Sequence, residues 1–204
     1  MNEVTKMLVV LSVISGLSGL VLAGLREVTK GEIERQIIVN KVKPSLEAMF
    51  TDENGKKIFD NDPVEERKKI AIKIDGGKEE EINFFPIKVK GELVAVAFER
   101  AGKGGYGGNV GVLSAFHLKG PKEGRIAGIG ITSHNETPGL GSRVTTPQFR
   151  AQFKDRGQDQ IVLGAGGINA LSGATKSSTA TVDGVQRAVV VFKANLDQIR
   201  NAFK

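Results

Sequence analysis

Ser172-Gly173-Ala174-Thr175, followed by Lys176-Ser177-Ser178, sets a hydroxyl at the end of a run of very small residues, beside a cation and just ahead of a predicted helix. Such a stretch suits the holding, or the attachment, of a phosphate. Glycine lets backbone N–H groups come close to a ligand and tolerates φ > 0. A helix N-terminus behind it offers unpaired N–H donors and a dipole that favours anions. The lead-in, Gly164-Ala165-Gly166-Gly167-Ile168-Asn169-Ala170-Leu171, is also poor in bulk. The plainer alternative is an ordinary turn whose helix is capped by Ser177, Ser178 or Thr181.

Two further stretches have residue types that do chemistry. His134-Asn135-Glu136-Thr137-Pro138-Gly139-Leu140-Gly141-Ser142 places a lone Leu140 between glycines, where an apolar side chain can lie against a flat ring. His134 and Glu136 have the side chains of a general acid–base pair; residues of these types more often hydrogen-bond a turn. Gly102-Lys103-Gly104-Gly105-Tyr106-Gly107-Gly108 matches neither the dinucleotide fingerprint nor the phosphate loop, because no strand–helix unit of the right spacing surrounds it. The alternative for it is a flexible hairpin tip.

The elements that must position these loops read as strands enclosed by helices. Ile33, Ile37, Ile38 and Val42 recur at helical spacing up to Pro44, and 51–66 is rich in turn residues and charge. Ile70 to Ile74 alternates and ends at Asp75-Gly76-Gly77. Ile82 to Val89 and Leu93 to Phe98 flank Lys90-Gly91 as a hairpin candidate, and Val110 to Phe116 and Ile126 to Ile131 flank a polar connection. Val182 to Phe203 reads as a closing helix. Strands in hairpins with helices at both ends predict an α+β domain.

Residues 7–25 are uncharged over nineteen positions. At 1.5 Å per residue they span about 28 Å of helix, roughly the hydrocarbon thickness of a bilayer. Ser15, Gly19 and Ala23 fall on one face with Ser12 and Gly16 beside them, a spacing that lets another membrane helix approach closely. A cleaved signal peptide with Val21-Leu22-Ala23 near the cut is the alternative. Lys6 on one side and Arg26, Lys30 and Arg35, offset by acids, on the other give no clear orientation. The expected organisation is a short tail at 1–6, a transmembrane anchor at 7–25, a helical connector and loop at 26–66, and a domain at 67–204.

Of 204 residues, 40% are hydrophobic and 25% charged, the balance of a folded protein. The net charge of +6 lies wholly after residue 25, but the cations are interspersed with acids and aromatic residues are few, so no nucleic-acid partner is expected; anionic lipid or an acidic protein surface fits better. The absence of cysteine excludes disulfides, iron–sulfur ligation and thiol catalysis on this chain. With His117 and His134 the only histidines, no multi-histidine metal site is expected.

The apolar helix, the Gly-Tyr-Gly-Gly loop, His134 to Ser142 and Ser-Gly-Ala-Thr, in that order, resemble the G subunit of the Rnf electron transport complex, an ion-translocating ferredoxin–NAD oxidoreductase. They are similar also to the C subunit of the sodium-pumping NADH–quinone reductase. The resemblance covers nearly the whole chain and is strongest over 104–178, and the short total length favours the Rnf protein over its longer relative. It implies an FMN-binding domain whose FMN is joined through its phosphate to Thr175 by a separate flavin transferase. Gly173 and Ala174 would let that enzyme grip the loop. Lys176 and the last helix would stabilise the phosphate, Leu140 would lie against the flavin ring, and Thr137, Gly139 and Gly141 would shape its bed. Ser172, Ser177 and Glu136 complete the expected cofactor-binding set, with no catalytic acid or base and no metal. The family motif has Asp six residues before the attachment threonine; here that position is Asn169. The resemblance further implies an electron-carrying subunit in the cytoplasmic membrane, with its domain on the outer face, other membrane and redox subunits as partners and lipid around its anchor. No acid lies within the span, so an anchoring and relaying role is expected rather than ion conduction. The alternative is a membrane-anchored FMN-binding sensor or assembly module outside such a complex.

Overall fold

Where apolar residues alternate through the middle of the chain, the computed structural model forms an antiparallel meander; it describes residues 2–52, 54–74 and 79–204. The turn expected at Asp75-Gly76-Gly77, and Glu53 of the charged loop, lie outside the described residues. The strands are β1 (Lys68–Lys73), β2 (Glu79–Val89), β3 (Glu92–Gly105), β4 (Gly108–His117) and β5 (Ile126–Ser133), hydrogen-bonded in the order β1-β2-β3-β4-β5. Lys90 and Gly91, both at positive φ (54° and 75°), close the β2–β3 hairpin as the two-residue turn whose twist suits flanking strands. Strand β3 does not end at Phe98 as expected. It pairs with β4 as far as Gly105 opposite Gly108, so most of the 102–108 glycine stretch is strand and only Tyr106 and Gly107 form the tip.

One face of the sheet is covered by the long helix α4 (Thr175–Ala194). A ladder of rings joins the layers: Phe84 to Phe98 at 4.7 Å between centroids, Phe98 to Phe116 at 5.6 Å, and Phe116 stacked on Phe192 at 4.4 Å. The opposite face receives α2 (Lys43–Met49), whose Ser45 and Met49 rest on Gly130 and Gly128 of β5. A short helix, α3 (Pro147–Ala151), also packs on β5, and α5 (Leu196–Ala202) closes the chain against β1. The domain is α+β.

Two helix boundaries differ from the sequence expectation. Pro44 does not end its helix; it sits in the first turn of α2, where its missing N–H has no intrahelical partner to lose, after a π-helical turn over Ile38–Val42. The closing helix starts at Thr175, seven residues before Val182, and breaks at Asn195, whose side-chain amide donates to Val191 O (2.9 Å) and Lys73 O (3.3 Å).

The N-terminal unit is the helix α1 (Glu3–Ile37), long and apolar enough to cross a membrane: an 18-residue window reaches a mean hydropathy of 2.3 and none of its residues is buried.

Helix α4 reaches the tip of β3 only because of a close backbone approach. A methyl group on Gly102 would collide with the carbonyl of Ala180 and come within 2.8 Å of Gly184 N. Gly102→Ala is therefore expected to lower stability by about 1–3 kcal/mol, as overpacking of a filled interface does; the thermal unfolding midpoint measures it.

Candidate functional site

Three loops meet where β5, the β3–β4 tip and the start of α4 come together. β5 leads into Thr137-Pro138-Gly139-Leu140, a turn closed by the Leu140 N–H donating to Thr137 O (3.2 Å) with Gly139 at φ 73°. Proline followed by glycine is the pair this turn geometry favours. The second loop repeats the device: Ala174 N–H donates to Leu171 O (2.9 Å) around Ser172-Gly173, with Gly173 at φ 76°. A side chain larger than glycine's is strained there, and an added Cβ would also lie 3.1 Å from Leu140 Cδ1. The two turns thus touch through Leu140 and Gly173.

Glu136 ties the loops together. Its side chain is buried, 4% exposed, and both carboxylate oxygens are used: Ser177 Oγ donates to Oε2, and Gly107 N–H donates to Oε1 (3.0 Å). Burial alone would push this carboxyl up. The Ser177 hydroxyl, the Gly107 and Tyr106 N–H groups and nearby His134 outweigh it and hold the group below its ordinary value. His134 is not paired with the Glu136 carboxylate; its Nδ1 accepts the Glu136 backbone N–H (3.2 Å). These two residues build the turn. Arg143, one turn further on, closes the frame: its guanidinium donates to Ser172 O and to Leu140 O (3.2 Å for the latter).

The loops enclose an open cavity of about 560 Å³ lined by Tyr106, Glu136, Thr137, Leu140, Gly141, Gly173, Ala174, Thr175, Lys176 and Ser177. Its wall is the beginning of α4. Thr175 is the first helical residue and is exposed, and no side chain caps the helix. The expected caps are engaged elsewhere: Ser177 with Glu136, Ser178 with Ala174 O (3.0 Å) and Thr181 with Ser177 O (2.9 Å). The first residues of α4 thus line the cavity while the helix start has no side-chain acceptor, beside the exposed Lys176. Leu140 presents an apolar surface, 44% exposed, and Tyr106, also in the lining, is 75% exposed.

Of the residues expected from the sequence, Glu136, Thr137, Leu140, Gly141, Gly173, Ala174, Thr175, Lys176 and Ser177 meet around this one cavity. Ser172 and Gly139 do not line it; they shape the two turns. Tyr106 and Arg143 were not in the expected set. Tyr106 stood in a glycine stretch already singled out, but only the β3–β4 register carries it to the cavity. Arg143 had no signal beyond its nearness to Ser142. His117 lies away from the cavity at the end of β4, with Nε2 3.5 Å from Asp155 Oδ1.

A planar, anionic ligand suits this arrangement: an apolar side chain and an aromatic ring for a flat group, and a helix terminus with a lysine for a phosphate. Residues 105–190 match the FMN-binding domain family. Over 200 residues the chain is 30% identical to the G subunit of the Na⁺-translocating ferredoxin:NAD⁺ oxidoreductase complex of Acetobacterium woodii, covering 93% of this chain and 92% of that one. It is 39% identical over 90 residues to the G subunit of the proton-translocating ferredoxin:NAD⁺ oxidoreductase complex of Clostridium ljungdahlii, a match spanning 42% of this chain and 46% of the relative. Among solved structures, Shewanella oneidensis NqrC aligns with 77% of this chain and 82% of its own at a TM-score of 0.47 and 21% identity.

Proposed function

Because the chain belongs to the G-subunit family of ion-translocating ferredoxin:NAD⁺ oxidoreductase complexes, we propose that it is a membrane-anchored electron-transfer subunit holding FMN covalently on Thr175. The observation that carries this reading is the exposed Thr175 hydroxyl at the uncapped start of α4, on the wall of a cavity large enough for a flavin. Bound flavin supplies acceptance and release of electrons, singly or in pairs; the chain supplies position and electrostatics.

Each residue has a part. Thr175 Oγ1 would hold the flavin through its phosphate, as the oxygen of a phosphoester. A threonine hydroxyl is a weak nucleophile unaided, and among the described residues no acid or base of this chain bonds its side chain, so activation belongs to the separate flavin transferase. Lys176 and the first N–H groups of α4 would hold the phosphate. Leu140 and Tyr106 would flank the ring. Glu136 keeps the three loops in register, and Gly141 leaves room for it: a Cβ there would lie 2.6 Å from Glu136 Oε2. In this reading α1 is the membrane anchor, the domain lies on the outer face, and the partners are the other redox and membrane subunits and the surrounding lipid.

The test is intact mass and in-gel flavin fluorescence of the full chain made together with its transferase. The expected product is heavier than the bare polypeptide by one FMN less a water, and stays fluorescent after denaturation. A mass equal to the bare polypeptide overturns the covalent reading. Asn169 offers a graded check. Only its backbone is engaged, donating to Gln152 Oε1 (2.8 Å) and accepting from Gln152 Nε2 (3.3 Å), while the residue is exposed. Asn169→Asp is expected to raise the modified fraction without changing stability, read from the ratio of the two mass peaks.

A further inference from the structure

Two further cavities, about 240 and 250 Å³, lie along the edge strand β5, away from the flavin cavity. One sits between α2 and α3 over Ala127, Gly128 and Ile129; the other opens beside it over Ile131 toward Asn40 and Thr145. They share Ala48 and Arg150. Their floors are apolar, with Met49, Ile129 and Pro147 in one and Pro44 and Ile131 in the other. Among the described residues, the charged lining side chains are Lys41, Arg150 and Lys154, with no carboxylate.

Arg150 stands out. Its Nε is buried and makes no hydrogen bond, and no acid pairs with it among the described residues. Two acids next in sequence to lining residues are already paired: Glu47, beside Ala48, with Lys57 (2.5 Å) and Asp155, beside Lys154, with Lys122 (2.7 Å). A partly buried guanidinium without an acceptor is unfavourable unless something brings one, and a carboxylate is the acceptor whose two oxygens match it. A free anion would satisfy Arg150 but would leave the apolar floors on either side open. A chain segment with an acid between apolar side chains satisfies all three.

We infer that this groove docks an acidic, apolar-flanked segment of a partner polypeptide, with its carboxylate on Arg150 and its neighbouring side chains in the two lobes. The inference takes from the proposed function only that other chains are present; it does not depend on flavin attachment. Aromatic and arginine anchors in partly buried pockets are where interfaces concentrate their energy. The groove is linked to the flavin loops through the chain, because β5 leads on to Glu136 and α3 follows Arg143 in the same segment. A partner docked there would sit on the strand that carries the ring-side turn.

The experiment is zero-length carbodiimide cross-linking of the intact membrane complex containing the full chain, mapped by mass spectrometry. The reagent joins lysine amines to carboxylates in ion-pair range. The expected product links Lys154 or Lys41 to an Asp or Glu of another subunit that has apolar residues on both sides. Arg150→Gln should cut its yield roughly tenfold, as loss of an interface anchor does, with in-gel flavin fluorescence unchanged. Arg150→Lys, which retains charge but not the two-pronged donor, should fall between. Mapping in the unsubstituted complex decides the matter even if a variant folds poorly. Cross-links from Lys154 and Lys41 that stay within this chain, or are absent while other lysines react across subunits, overturn the inference. So does an undiminished yield in folded Arg150→Gln. Protection of Lys154 by inorganic phosphate in the isolated chain, with no link to another subunit, would make the groove a small-anion site instead. Failure of the flavin reading would show differently, as lost fluorescence with these cross-links intact.

Discussion

Thr175→Ala is expected to yield a folded chain with no bound flavin after denaturation, an intact mass equal to the bare polypeptide, and no electron transfer through this subunit in the assembled complex. On the proposed attachment the effect is all or none, because a single oxygen would make the bond. It is also separable from folding. Thr175 is exposed at the first position of α4, and the bond closest to it, from Thr179 Oγ1 to Thr175 O (2.9 Å), uses backbone that alanine keeps. Alanine is a strong helix former, so the stability change should stay within about 0.5 kcal/mol, the range for exposed sites. Thr175→Ser restores the oxygen and should restore part of the flavin. A Thr175→Ala chain that retains full covalent fluorescence would place the attachment elsewhere.

The second large effect is expected at Glu136. Glu136→Ala removes the acceptor of Ser177 Oγ–H and of Gly107 N–H at once. The buried Ser177 hydroxyl left unpaired costs roughly 1–3 kcal/mol, and the loops lose their common strut, so flavin loading should fall with stability. Glu136→Gln keeps the shape and one acceptor oxygen and should sit between wild type and alanine. Acid gives an independent check. Burial raises this carboxyl's pKa, but the hydrogen bonds outweigh it and leave the folded-state value below the ordinary 4.5. A lowered folded-state value means the ionised form contributes stability above pH 4.5, and the contribution disappears as the pH falls below that toward the folded-state value. Asp62, Asp155 and Asp183 are lowered as well, so the informative quantity is the difference in unfolding midpoint between wild type and Glu136→Gln. That gap should be constant near neutrality and shrink as the pH falls through this range. A gap independent of pH would show that the carboxylate charge is not what holds the loops.

The sheet was legible because Ile70 with Ile72, and the Val and Phe positions of β3 and β4, alternate as a strand between two layers must. The start of α4 was not. Thr175 to Thr181 reads as polar, yet Ser177, Ser178 and Thr181 are buried, since each hydroxyl finds Glu136 or a carbonyl one turn back. Composition cannot show that a hydroxyl will be satisfied internally. Two of the three loops of the cavity were readable from glycine spacing. The third, with Tyr106, depended on pairing between β3 and β4, which no short window contains. Arg150 carried no local signal, because an arginine on a short helix is ordinary until its acids prove to be bonded elsewhere.

The bare beginning of α4 also bears on when in its life the subunit becomes rigid. A helix lacking a side-chain acceptor at its first turn frays more readily than a capped one, typically by about 1 kcal/mol. On the proposed attachment, that looseness would expose the threonine beforehand to the enzyme that modifies it. After maturation, on the proposed attachment, the phosphate is itself the missing acceptor, fixed by a bond and so present at every instant. Modification would then act as a one-way latch: the chain is soft where it must be handled and stiff where a redox centre must hold its distance. Amide exchange at Thr175, Lys176 and Ser177 should slow on flavin attachment, while the far end of α4 near Asn195 stays as it was.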